Sequence, residues 1–266
     1  MAKNRSYLKF EGTLDGLTYY DQKGQSLVKT KTSLTKSRIM KDAKFKTTRQ
    51  NMTEFGGCAQ AGKAFRKAFA GMVGIMGDSY ISARVSALMK RINLKTPGLR
   101  GRRGIDLVTN ADLLVDFSFN PADSLEAILL APYASPTLDA NRDVATWLVP
   151  DFNTDSLLKS PEGATHFQLI LSLGTVSNYQ YVDSMTKYQP VEKDFNSKGI
   201  TAYSAYIPIG GMVGADTTLT ADLGIGAPLP ATVVAIAAIG ILFFQEVDGV
   251  QNQFAQGNSL MVATAE

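Results

Sequence analysis

VVAIAAIGILFF at residues 233–244, followed by QEVDGV at 245–250, decides the fold. The run is apolar on both faces and rich in small residues, Ala235, Ala237, Ala238 and Gly240 among them. A central strand covered on both sides reads this way. Periodicity alone suits a buried helix equally well. The β-branched content and the Asp248-Gly249 turn favour a strand entering a hairpin. Phe254 and Leu260 to Ala263 then supply the return and last strands. From Ala231 to Phe244, with Thr232 as the one interruption, the run is 14 residues long. That is too short to cross a bilayer as a helix.

Upstream, Leu113, Val115, Phe117 and Phe119 alternate with polar or opposite-facing neighbours. So do Phe167, Leu169, Leu171 and Leu173, and then Tyr203, Ala205 and Ile207. Period-two alternation between Pro, Asp, Asn and Gly clusters predicts an antiparallel β-sandwich over 104–266.

Before it lies a helical zone, about 42–94, with Asp42 as a plausible N-cap. Phe45, Met52, Phe55 and Ala59 form one stripe, and Cys58, Ala61, Phe65, Phe69 and Met72 a second. Gly56 and Gly57 mark a possible break. A second helix begins near Asp78 or Ser79, carries Ile81, Val85, Leu88 and Ile92, and stops at Thr96-Pro97-Gly98. The first 31 residues read as a β-meander: Tyr7, Leu8 and Phe10 before Gly12, then Leu17 to Tyr20, then Ser26 to Lys31. The expected class is α+β: a hairpin-plus-helix module, 1–103, then the sandwich, 104–266.

Charge follows the same division. Residues 1–103 hold 22 Lys and Arg against 6 Asp and Glu; residues 104–266 hold 5 against 18. The net charges of +16 and −13 almost cancel in the formal +3 of the whole chain. Such a split implies a strong field at each end. Three arrangements satisfy it: head-to-tail contact between copies, a polyanion on the basic part, or packing of the two halves within one chain.

Catalytic chemistry has little to work with. His166 is the single histidine and Cys58 the single cysteine. That all but removes nucleophile–base pairs and N/S metal clusters, and it rules out an internal disulfide. His166, between Thr165 and Phe167, reads as a structural residue at a strand start. Gly57 to Lys63 has the G-x4-G-K spacing of a phosphate loop, but Ala64 stands where a magnesium-binding hydroxyl belongs, inside a helical pattern. Small residues for helix packing explain it better. Asp151, Asn153, Asp155 and Glu162 match positions 1, 3, 5 and 12 of a calcium loop, but Ser156 replaces the turn glycine and Lys159 falls at position 9. A polar turn with an Asx cap is the better reading. No catalytic, cofactor-binding or metal-binding residue is therefore expected, and the chain reads as a non-enzyme.

The stretches EGTLDGLTYYDQKGQSLVKTK, RQNMTEFGGCAQAGKAFRKAF and GILFFQEVDGVQNQF resemble a set of uncharacterised hypothetical proteins of Bacteroidota. The resemblance implies the same organisation: a Gly-punctuated N-terminal hairpin, an Asn-x-x-Glu-Phe-Gly helical segment and a β-rich remainder. It carries no activity and transfers no functional residue.

The expectation is a structural protein that self-associates, as the repeating subunit of a filament, tube or shell. Its means would be head-to-tail charge complementarity and an N-terminal strand-like arm that adds to a neighbour's sheet. The alternative is sequence-independent binding or packaging of nucleic acid through the basic part. Lys63, Arg66, Lys67, Arg100, Arg102 and Arg103 are the residues expected to carry either role. The N-terminal residues lack the apolar stretch of a signal peptide, which points to the cytoplasm, with release as part of an assembly compatible with the same sequence.

Overall fold

The computed structural model describes residues 2–4, 9–31 and 34–266. The chain divides into two compact units, Met1–Arg49 and Gln50–Glu266. It is an α+β protein with antiparallel sheets.

In the first unit, β1 (Ala2–Lys3), β2 (Gly12–Leu14), β3 (Leu17–Gln22) and β4 (Gln25–Thr30) form one sheet in the order β1-β4-β3-β2. Its two tight hairpins share one chemistry. Asp15-Gly16 and Lys23-Gly24 each place two consecutive residues at positive φ (50° and 79°, 56° and 72°). Such turns match the right-handed twist of the strands, and glycine makes them affordable. The expected second and third strands of the meander are present, but its first strand runs over Gly12–Leu14 instead of ahead of Gly12: Phe10 lies outside any strand, and Tyr7 and Leu8 lie outside the described residues. Helix α1 (Lys36–Lys41) follows, with Thr35 Oγ1 accepting the Arg38 N–H. Asp42 then caps a single 3-10 turn by accepting from Lys44 N.

The second unit begins inside α2 (Lys46–Ala68), which continues through Gly56 and Gly57 without the expected break. The chain bends at Phe69 instead, into α3 (Ala70–Met76) and then α4 (Ile81–Lys95). Two further helices of four residues, α5 (Leu125–Ile128) and α6 (Thr154–Leu157), lie among the strands. The strands are β5 (Thr137–Leu138), β6 (Val144–Val149), β7 (His166–Ser177), β8 (Tyr179–Val182), β9 (Lys187–Pro190), β10 (Gly199–Tyr203), β11 (Ile207–Pro208), β12 (Thr217–Asp222), β13 (Val233–Val247), β14 (Val250–Gln253) and β15 (Ser259–Ala265).

β13 is the central strand. It pairs with β7 over Val233 to Phe244, and with β14 and β15 on its other edge. Asp248-Gly249 forms a third hairpin turn of the same positive-φ type. Both faces of β13 are covered. Val234, Ile236, Ala238, Leu242 and Phe244 enter a core with Phe65, Phe69, Met72, Val85, Met89 and Ile92 from the helices. Val233, Ala235, Ala237, Ile239, Ile241 and Phe243 enter a second core with Trp147 and Val149 of β6 and Leu219 of β12. The unit therefore has three layers: helices, the long sheet, and the β12-β6-β5 sheet.

This layering overturns the boundary expected at residues 103 and 104. The buried stripes of α2, α3 and α4 are the cover of the long sheet's second face, so the helices cannot be parted from the strands without opening that core. Two strand expectations also fail. Residues 111–113 form a 3-10 turn, and Asp116 adopts φ 63°, which no strand tolerates. The segment nonetheless shields the outer edge of β15 through Asp116 N to Val262 O and Phe119 N to Leu260 O, each 2.9 Å. The strand expected from Tyr203 to Ile207 is interrupted at 204–206, where Ser204 Oγ accepts the Leu169 N–H at 2.9 Å.

Candidate functional site

The six expected basic residues differ in exposure and in partners. Lys63 and Lys67 are exposed on α2, one turn apart. Arg66 is half-buried, with its Nη1 enclosed and without a hydrogen-bond partner. The Leu99 to Gly104 linker is drawn inward by a carboxylate that sequence reasoning passed over. Glu54, on the buried face of α2, is 1% exposed. It accepts a hydrogen bond from Lys90 of α4 and another from the Gly101 N–H at 2.7 Å, with Arg103 Nε at 3.8 Å. Lys90 also donates to Asn93 Oδ1 at 2.8 Å, and Asn93 Nδ2 donates to the carbonyls of Arg103 and Gly104.

Burial alone would raise the Glu54 carboxyl. The Lys90 and Gly101 hydrogen bonds and the Lys90 and Arg103 charges outweigh it and hold it below its ordinary value. Arg103 is thus part of the interior electrostatics. Arg102 points elsewhere, 2.8 Å from Asp183 and over the Tyr181 ring at 5.6 Å. Arg100 donates to Asn51 Oδ1 from Nε and Nη2, at 3.3 and 3.1 Å.

The phosphate-loop spacing has a packing explanation. A Cβ on Gly57 would fall 2.5 Å from Tyr188 Cδ2, so glycine is what lets the ring lie on the helix. Tyr188 Oη donates to the Arg103 carbonyl at 2.7 Å, tying strand, helix and linker together. Cys58, one residue on, is fully enclosed, and burial pushes its thiol up to about 12. A thiol so placed is a core residue and no nucleophile.

The calcium-loop residues serve backbone instead. Asp151 Oδ1 accepts from Gly214 N, Asp155 Oδ2 from Gly211 N, and Asn153 Oδ1 from Asp155 N, at 2.8 to 2.9 Å. Asn153 is the Asx cap of α6. Among the described residues no group of three or more His, Cys, Asp or Glu is placed to hold a metal. His166 stands at the first position of β7, with Nε2 3.5 Å from Glu246.

The first unit offers two chemically different sheet faces, because directly opposed residues share a face. One face carries Leu14, Leu17, Tyr19, Val28 and Thr30, with Phe10 edge-on to Tyr19 at 5.9 Å. The other carries Lys3, Thr18, Tyr20, Leu27 and Lys29, with Lys29 over the Tyr20 ring at 5.1 Å. Among the described residues of this unit none belongs to either hydrophobic core, and Ser26 alone is buried. No helix of the described residues is long and apolar enough to cross a membrane. No protein-family model, curated protein or solved structure matches the chain.

Proposed function

We propose that this is a non-enzymatic structural protein that self-associates head to tail, as the repeating subunit of a filament, tube or shell. One observation carries the reading. The first unit holds 12 Lys and Arg against 4 Asp and Glu, and its described residues enclose no apolar core, whereas the second unit holds 15 against 20 and encloses two. A small sheet without a core is marginal alone and gains most from a partner. A surface of net charge −5 on a second copy complements its +8. Each copy then presents one donor and one acceptor, and a contact of that kind repeats.

Mass measurement at low and high salt tests this. Particles larger than one chain at low salt, dissociating as salt rises, are the expected result. A monomer at both salts and at high concentration would overturn it. Charge reversal belongs at Lys63 and Lys67, which are exposed, and not at Arg103, whose loss would disturb the Glu54 cluster. A second reading, sequence-independent binding of nucleic acid, draws support from the lysine-and-tyrosine face of the first sheet. Assembly that disappears on nuclease treatment would favour it.

A further inference from the structure

Among the described residues the long sheet and the three-stranded sheet end at β10 and β12, each of which has a strand partner on one edge only. The two edges flank a groove of about 510 Å³. Tyr203, Tyr206, Val213, Thr218 and Leu219 line it, and Asp216 is its one charged lining residue. Tyr203 and Tyr206 are 46% and 48% exposed, large apolar areas beside an open backbone edge. Open edges of this kind are templates for an added strand, and proteins usually blunt them with lysine, proline or a covering segment. β12, Thr217 to Asp222, carries neither Lys nor Pro.

We infer that this groove receives the Lys9–Leu14 segment of a second copy, of which Gly12–Leu14 is already strand, paired along β12. The inference rests on the self-association reading and names its contact. β2 is the terminal strand of the first unit's sheet, and among the described residues no strand pairs with its outer edge. Phe10 and Leu14, 51% and 69% exposed, alternate with Lys9 and Thr13. The added strand therefore presents two apolar anchors on one face and polar groups on the other. Lys9 suits Asp216, whose Oδ1 already accepts from Asp151 N at 2.9 Å. Glu11 lies on the same face as Lys9, so the register that sets Lys9 at Asp216 is preferred to the one that sets Glu11 there. Main-chain pairing would make the donor's four strands continuous with the acceptor's three.

The test uses two single-cysteine additions, Thr13→Cys and Thr220→Cys, which a parallel register with Lys9 at Asp216 sets opposite each other, in separate full-length chains that are mixed and mildly oxidised. The native Cys58 is fully enclosed and stays silent. A covalent heterodimer well above the level in either variant alone is expected. Adding Leu14→Asp to the Thr13→Cys chain should reduce it at least tenfold, while circular dichroism shows the second unit still folded. If the mixture gives no heterodimer although low-salt particles exceed one chain in mass, the groove assignment is wrong and self-association stands. A chain carrying both cysteines that closes a disulfide only within itself also overturns the assignment. A monomer under all conditions overturns both.

Discussion

The two units of this chain solve different problems with the same hairpin. Asp15-Gly16 and Lys23-Gly24 in the first unit, and Asp248-Gly249 in the second, are two-residue turns with paired positive φ. What they join differs. β13 and β14 emerge from a sheet buried on both faces, whereas β2, β3 and β4 form a sheet whose residues are exposed or half-exposed except Ser26. Turn chemistry therefore settles local geometry in both places, and burial settles stability in one. Truncating a fully buried large side chain costs about 3–5 kcal/mol. Phe243→Ala should reach that range and lower the melting temperature of the second unit steeply. Val28→Ala, on the half-exposed sheet, should cost less than about 1 kcal/mol by the same area argument. Hydrogen exchange sharpens the contrast, because β3 and β4 amides should exchange far faster than those of β13 in dilute monomer. A first-unit sheet as protected as β13 in that state would break it.

The Glu54 cluster should give the next largest effect. Removing one partner of a buried ion pair costs about 3–5 kcal/mol, since the charge left behind stays desolvated. Lys90 is 25% exposed, which places Glu54→Gln towards the lower end. The pH dependence follows from the lowered carboxyl. A group whose native value lies below its unfolded value near 4.5 contributes fully above that value and loses its contribution as pH falls through the native one. The gap in melting temperature between the parent and Glu54→Gln should be wide near neutrality and narrow below pH 4.5. A gap that widens in acid would contradict the assignment.

Gly57 comes next. Adding a methyl group where the Tyr188 ring lies against the helix forces one of them to move, and overpacking of that kind costs about 1–3 kcal/mol. Gly57→Ala should destabilise the second unit, whereas Gly56→Ala should not, because nothing lies within 4 Å of a Cβ there. In an exposed helix interior that second change is favourable by up to about 1 kcal/mol. Paired melting curves check the opposite signs.

These residues also mark what the sequence could disclose. The β13 strand, the α4 stripe of Ile81, Val85, Leu88 and Ile92, and the Asp42 cap were legible because each depends on local spacing. Glu54 was not, because its partners lie 36 to 49 residues away and no local pattern distinguishes a buried carboxylate on a helix from a solvated one. The break expected at Gly56-Gly57 failed for the same reason, since Tyr188 arrives from a strand more than a hundred residues on. Of two apolar stripes on α2, the one through Cys58, Ala61 and Phe65 is buried, while Met52 and Phe55 stay more than half exposed. Spacing identifies a stripe, and only the layer opposite decides whether it is covered. The β10–β12 groove was invisible because it depends on two strand ends from different sheets.

The smallest effect divides two neighbours that look alike in sequence. Arg102 and Arg103 are adjacent in a basic run, yet Arg102 meets Asp183 with both side chains more than half exposed, while Arg103 lies beside the enclosed Glu54. An exposed pair contributes between about 0 and 1 kcal/mol, because water screens it and two long side chains lose freedom to form it. Contact with the Tyr181 ring adds about 0.5 kcal/mol at an exposed site. Arg102→Ala should therefore lower stability by less than about 1.5 kcal/mol. The coupling with Asp183→Ala in a double-mutant cycle should shrink as salt is raised. Arg103→Ala should cost more and respond less to salt, since the Glu54 carboxylate it faces is closed to solvent. Equal losses with equal salt dependence at the two positions would mean that the linker is a uniform basic surface, and the placement of Glu54 would lose its explanatory role.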